Sequence, residues 1–72
     1  MIEGKITNNI RTLRFMHNEM TQQELADRVG VTRQTINAIE AAKYSPSLEV
    51  AFKIAVAFDC SIQDVFQFTI DS

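Results

Sequence analysis

The chain has 72 residues, 46% of them hydrophobic, and a formal net charge of −2. That length makes one domain, residues 1–72, burying only about 60% of its unfolded surface. One cysteine (Cys60) and one histidine exclude an internal disulfide and a usual metal-ligand set. No apolar run approaches the roughly 18 residues of a membrane span, and the start lacks the apolar stretch of a secretory signal, so a reducing cytoplasm is the expected location and no cofactor or membrane partner is expected.

Two glycines and one proline favour helices joined by short turns over a sandwich or barrel. The first helix is expected from about Thr7 to His17, where Ile10, Leu13 and Arg14 recur at helical spacing; "HNEM" then breaks it. The second starts at "MTQQELADRVG". Thr21 caps it, Glu24 three residues on completes a capping box, and Met20 and Leu25 stand at the positions of a hydrophobic staple. Leu25, Ala26 and Val29 make its buried stripe, and Gly30 supplies the left-handed end.

The third helix follows within two residues. Thr32 caps it, Val31 staples to Ile36, and Ile36 and Ile39 point inward. Arg33, Gln34, Asn37 and Ala38 fall on the opposite face. Its end is irregular: Ala41 and Ala42 stand where a glycine or asparagine is usual. A left-handed alanine costs about 1–2 kcal/mol, so the helix is expected to run on toward Lys43 until Ser45 and Pro46 stop it.

Ser47 caps a fourth helix, Leu48 to Phe58, in which only Glu49 and Lys53 are polar. A helix apolar nearly all round requires cover on two sides: the rest of the chain on one, a second copy on the other. Ser61 caps a short fifth helix, Ile62 to about Phe66, with Asp64 in a box-like pattern. The tail alternates Phe66, Phe68 and Ile70 with polar residues, which is strand period. Pairing with the N-terminal "MIEGKI", pairing with another subunit's tail and disorder all remain open. The expected fold class is therefore all-α, a compact five-helix domain with room for a short two-stranded sheet from the termini.

Residues 22–41 carry the internal logic of a helix-turn-helix. Two short helices cross closely if one position is small (Ala26), the turn has a glycine (Gly30) and the inward positions are apolar (Leu25, Val29, Val31, Ile36, Ile39). All of these demands are met together. "TQQELADRVGVTRQTINAIE…KYSPSLEVAFKIA" resembles the phage-repressor/Cro-type (XRE-like) helix-turn-helix regulators, above all the small stand-alone bacterial and archaeal ones. The resemblance covers about residues 6–66. It implies a five-helix DNA-binding domain whose third helix is the reader, acting as a homodimer on a palindromic operator and mostly as a repressor.

A recognition helix offers its outward N-terminal residues to base edges. Arg33 suits guanine O6 and N7, and Gln34 suits adenine N6 and N7. Asn37 lies one turn on, and Ala38 allows close approach or a thymine methyl. By resemblance Gln22 matches a phosphate-contacting position; Thr32, Thr35, Lys43, Tyr44 and, more weakly, Arg11 surround the same helix as phosphate candidates. Arg14 and Glu40 match a buried structural ion pair. Val56, Phe58, Ile62, Phe66 and Phe68 are expected at the dimer interface.

Charge is split along the chain. Residues 5–43 hold six basic against four acidic residues, whereas residues 44–72 hold one against four. A local basic face serves phosphate binding whatever the net charge; chance in a short chain is the other reading. Double-stranded DNA is thus the expected partner, with no small-molecule ligand in this chain. No nucleophile–base pair or phosphate loop suggests an enzyme. A protein-interaction module, such as an antitoxin or adaptor on the same fold, is the alternative.

Overall fold

Four of the five helices begin at a hydroxyl side chain placed to cap them. The computed structural model describes residues 1–71. Along the chain run β1 (Gly4–Asn8), α1 (Ile10–Met16), α2 (Gln22–Val29), α3 (Arg33–Glu40), α4 (Leu48–Ala57), α5 (Ile62–Val65) and β2 (Phe66–Ile70). Thr21, Thr32, Ser47 and Ser61 each accept the backbone N–H three residues on, at 3.0–3.3 Å. At Thr21 and Ser61 the bond is reciprocated by Glu24 and Asp64, closing full capping boxes.

The helices enclose one core. Ile10 of α1, Leu25, Ala26 and Val29 of α2, Ile36 and Ile39 of α3, and Ile54 and Ala55 of α4 pack together with Met20, Phe58 and Val65. The stripes read from the sequence are the ones buried. At the α2–α3 turn Gly30 adopts φ 85°; Ala26 accepts from both Gly30 and Val31, at 2.8 and 3.1 Å. A side chain at that φ would be strained, which is why the turn carries glycine.

The tail is a strand, and it pairs with this chain's own N-terminus. β1 and β2 run antiparallel, with Gly4 opposite Ile70, Ile6 opposite Phe68 and Asn8 opposite Phe66. Alternation puts Ile6, Phe66, Phe68 and Ile70 on one face, and Lys5, Thr7, Gln67 and Thr69 on the other. A Cβ at Gly4 would clash with the Thr69 carbonyl oxygen and meet the Phe68 ring at 2.7 Å. The ring therefore lies across a position that only glycine vacates.

Three expectations change. Thr7 and Asn8 belong to β1, so α1 starts at Ile10 rather than Thr7. The reason is distant: their backbone pairs with Gln67 and Phe66, and no local signal reports that. The fifth helix ends at Val65, because Phe66 already opens β2.

The third change is at Ala42. The helix does not run on: Ala42 is left-handed, at φ 59°. Ala42 N–H donates to Ile39 and Lys43 N–H to Ala38, at 3.0 and 2.9 Å, the paired bonds of a Schellman ending. Asn8 Nδ2 donates to the Ile39 and Glu40 carbonyls, at 3.0 and 3.3 Å. Those acceptors would otherwise serve the N–H groups of a further turn. A side chain from β1 thus completes the stop that the missing glycine left open.

Candidate nucleic-acid interface

The outward face of α3 rests on a polar cluster beneath it. Arg14 of α1 grips Glu40 of α3 with two parallel bonds, Nη2 to Oε1 at 2.7 Å and Nε to Oε2 at 3.1 Å. Its Nη1 donates to the Met20 carbonyl at 2.9 Å. The two side chains keep only 17% and 12% of their exposure. The pair ties the first helix to the end of the third, and the guanidinium fork suits a carboxylate in two-point contact. The ion pair implied by the resemblance is therefore present.

Ile36 and Ile39 anchor α3 in the core, which turns Arg33, Gln34 and Asn37 to solvent. Ala38 is half-buried beside them. A row of two long polar side chains, a short amide and a methyl is left on an otherwise unpartnered helix surface.

Around this row the phosphate candidates divide. Gln22 and Arg11 line one polar recess of about 310 Å³, together with Asn8, Asn9, Thr12, Asn37, Glu40 and Ala41. Gln22 donates from Nε2 to Glu40 Oε2 at 3.2 Å. Thr32 and Thr35 meet hydroxyl to hydroxyl at 2.9 Å, and Thr32 also caps the helix, so one O–H of the two remains for an outside acceptor. Lys43 and Tyr44 are exposed beyond the end of α3. Tyr44 borders a different crevice, with Ile6, Asn8, Ala42 and Phe66. The recess and the α3–α4 turn are thus separate patches flanking the outward row of α3.

Two residues that sequence reasoning passed over organise this region. Asn8 caps the end of α3, as above, and its Oδ1 accepts from Ile10 N–H at 3.1 Å. Asn9 donates from Nδ2 to the Asp64 carbonyl at 3.1 Å, and its N–H donates to Val65 at 2.9 Å. Both bridge 31 residues or more. "NN" before a helix is a turn signal only; its partners have no sequence signature.

A family description of the helix-turn-helix type matches residues 10–65, most of the described chain. The chain belongs to the helix-turn-helix family. The family match spans α1 to α5, so the whole helical body belongs to it, and β1 and β2 flank it. Among relatives, an uncharacterized HTH-type transcriptional regulator of Methanocaldococcus jannaschii is 52% identical over 59 residues, covering 82% of this chain and 88% of the relative. Another, of Archaeoglobus fulgidus, is 57% identical over 49 residues, covering 68% and 69%. YgzD of Bacillus subtilis, also called an uncharacterized HTH-type transcriptional regulator, is 46% identical over 59 residues, covering 82% and 88%. The crystal structure of a candidate DNA-binding protein from Bacteroides fragilis matches the fold, with TM-score 0.74 at 22% identity over 86% of this chain and 98% of that one.

Away from the outward row of α3, the expected dimer residues part company. Phe58 is 2% exposed and sits in the chain's own core, its ring tilted against His17 at 5.3 Å. It has no surface left for a partner, which corrects its placement at the interface. The reason is helical spacing: Phe58 follows Ala51, Ile54 and Ala55 on the buried stripe of α4, and Asp59 turns left-handed only after it. Val56 is exposed and lines a groove between α2 and α4 with Phe52, Val29 and Gly30. Ile62, Phe66 and Phe68 line another hollow with Ile6. Cys60 is partly buried against the core. Burial, then the carboxylates of Asp64 and Asp59, push its thiol above the ordinary value.

Proposed function

We propose that the chain is a sequence-specific, DNA-binding transcription regulator that acts as a homodimer on a palindromic operator and represses by occupying it. The observation that carries this reading is the outward row on α3. Arg33 and Gln34 stand exposed in its first turn while the hydrophobic residues on the other side hold the helix rigidly. In this reading Arg33, Gln34, Asn37 and Ala38 meet bases, and Gln22, Thr32, Thr35, Lys43, Tyr44 and Arg11 meet phosphates. The relatives' description as HTH-type transcriptional regulators supports it. The apolar face of Ile6, Phe68 and Ile70, with Ile62 and Phe66 at its base, is the surface assigned to the second copy. A lone two-stranded sheet is marginal in water and gains from being covered.

Selection of bound sequences from a random DNA pool tests the reading. Recovery of a palindrome with half-site centres about one helical turn apart, and affinity falling steeply with salt, are the expected results. Failure to enrich any sequence refutes it. Phe68→Asp in sedimentation then reports whether the sheet face holds the dimer: loss of dimer is expected, and an unchanged dimer moves the interface elsewhere.

One observation favours a second reading, a protein-interaction module. Leu48, Phe52 and Val56, four residues apart along α4, are 71%, 51% and 77% exposed. A stoichiometric protein partner whose binding survives Arg33→Ala and Gln34→Ala, but not Phe52→Asp, would establish it.

A further inference from the structure

The hydrogen bonds under α3 have a direction, and that direction reaches the reading face. Glu40 carries a carboxylate, which only accepts. It accepts from Arg14 and, on Oε2, from the Gln22 amide at 3.2 Å. The NH2 end of Gln22 must therefore face Glu40, and its Oε1 must face the other way. On that side stands Asn37, whose Nδ2 donates to Gln22 Oε1 at 3.3 Å. The Asn37 amide is in turn committed: reversing it would set its oxygen against the oxygen of Gln22. One N–H of Asn37 is spent on Gln22. Its Oδ1 and the other N–H remain, an acceptor beside a donor on an exposed side chain.

We infer that Gln22 is a positioning residue for base readout: polarised by the Arg14–Glu40 pair, it fixes the Asn37 amide so that Asn37 reads adenine. Adenine offers an N6 amino donor beside the N7 acceptor in the major groove, the complement of the remaining Asn37 pair; guanine, thymine and cytosine do not. An exposed asparagine without such a support turns freely and discriminates less, because its orientation must be fixed at the moment of binding. Gln22 thereby acts inside the protein as well as toward a phosphate. The inference rests on the DNA-binding reading above.

The test starts from the selected operator. Asn37→Ala identifies the base pair that Asn37 reads, as the one whose preference vanishes. Affinities for the four bases at that pair are then compared for the unaltered protein and for Gln22→Met, which keeps the side-chain length and removes both bonds. The unaltered protein should prefer adenine by about tenfold, in the range of one good two-point contact. Gln22→Met should lower that preference to about twofold or less while preferences at the other positions stand, since only this pair loses its fixed reader. Equal weakening for all four bases would make Gln22 a phosphate contact alone and overturn the inference, as would an unaltered preference or a preferred base other than adenine. Gln22→Leu provides the same readout if the methionine disturbs folding. If selection recovers no DNA, the DNA-binding reading fails, and the positioning role is judged in the free protein. There the Asn37 side-chain amide resonances should shift in Gln22→Met, and unmoved resonances would overturn it.

Discussion

Replacing Ala42 by glycine tests how α3 ends. Ala42 holds φ 59° and is exposed, so its methyl group contributes strain and little burial. Left-handed backbone costs an L-residue about 1–2 kcal/mol. Glycine removes that cost but adds freedom to the unfolded chain, returning about 0.4–1 kcal/mol. The net expectation for Ala42→Gly is a stabilisation of about 0.5–1 kcal/mol. In a domain of this size, 1 kcal/mol moves the midpoint by about 4–8 °C, so Tm should rise by about 2–8 °C. Thermal unfolding followed by far-UV circular dichroism measures it. Ala41→Gly is the control. Ala41 has an ordinary φ of −80°, so glycine there brings only the unfolded-state term and should lower Tm. An Ala42→Gly variant that is unchanged or less stable, or that behaves like Ala41→Gly, would refute the reasoning.

Arg14→Ala leaves Glu40 unpaired beneath the outward face of α3 and should cost about 3–5 kcal/mol. That is a large part of the roughly 4–11 kcal/mol expected of 72 residues. Urea unfolding of Arg14→Ala should show a collapse of the midpoint that Arg14→Met with Glu40→Leu largely restores. On the selected operator, Arg33→Ala should cost about 1–3 kcal/mol and relax specificity at one position, whereas Lys43→Ala should weaken all sequences alike and lower the salt slope by about 1. Salt titrations of binding separate the two. Burial, then the carboxylates of Asp64 and Asp59, raise the Cys60 thiol above its ordinary value, so it should alkylate more slowly at mildly alkaline pH than the same cysteine in urea. Because the folded value is the raised one, the stability this group contributes is present below the unfolded pKa and is lost as pH rises through the folded one. Unfolding midpoints that stay level across that alkaline window would contradict the shift.

Much of the site was legible in the sequence because it is built locally. A cap and its box span three residues, and a buried stripe repeats every three or four. Thr21, Thr32, Ser47 and Ser61 therefore marked their helices, and Ile36 with Ile39 told which face of α3 looks outward. What escaped was what other segments decide. Thr7 reads as the start of a helix until Gln67 pairs with it. Ala42 reads as a residue that continues a helix until Asn8 occupies the carbonyls ahead of it. Phe58 reads as an apolar residue on an apolar helix; only Glu49 and Lys53, whose face Val56 continues at helical spacing, hint that Val56 turns out while Phe58 turns in.

The sequence by itself determined the helix-turn-helix unit, its caps and the polar row Arg33, Gln34, Asn37, Ala38, since hydrogen bonds and periodicity within a few residues suffice for these. The tertiary structure alone decided the strand pairing of the two ends, the left-handed stop at Ala42 and the chain of bonds from Arg14 through Glu40 and Gln22 to Asn37. Each of those joins residues that lie far apart in the chain, and such contacts exist only once the core has brought the helices together.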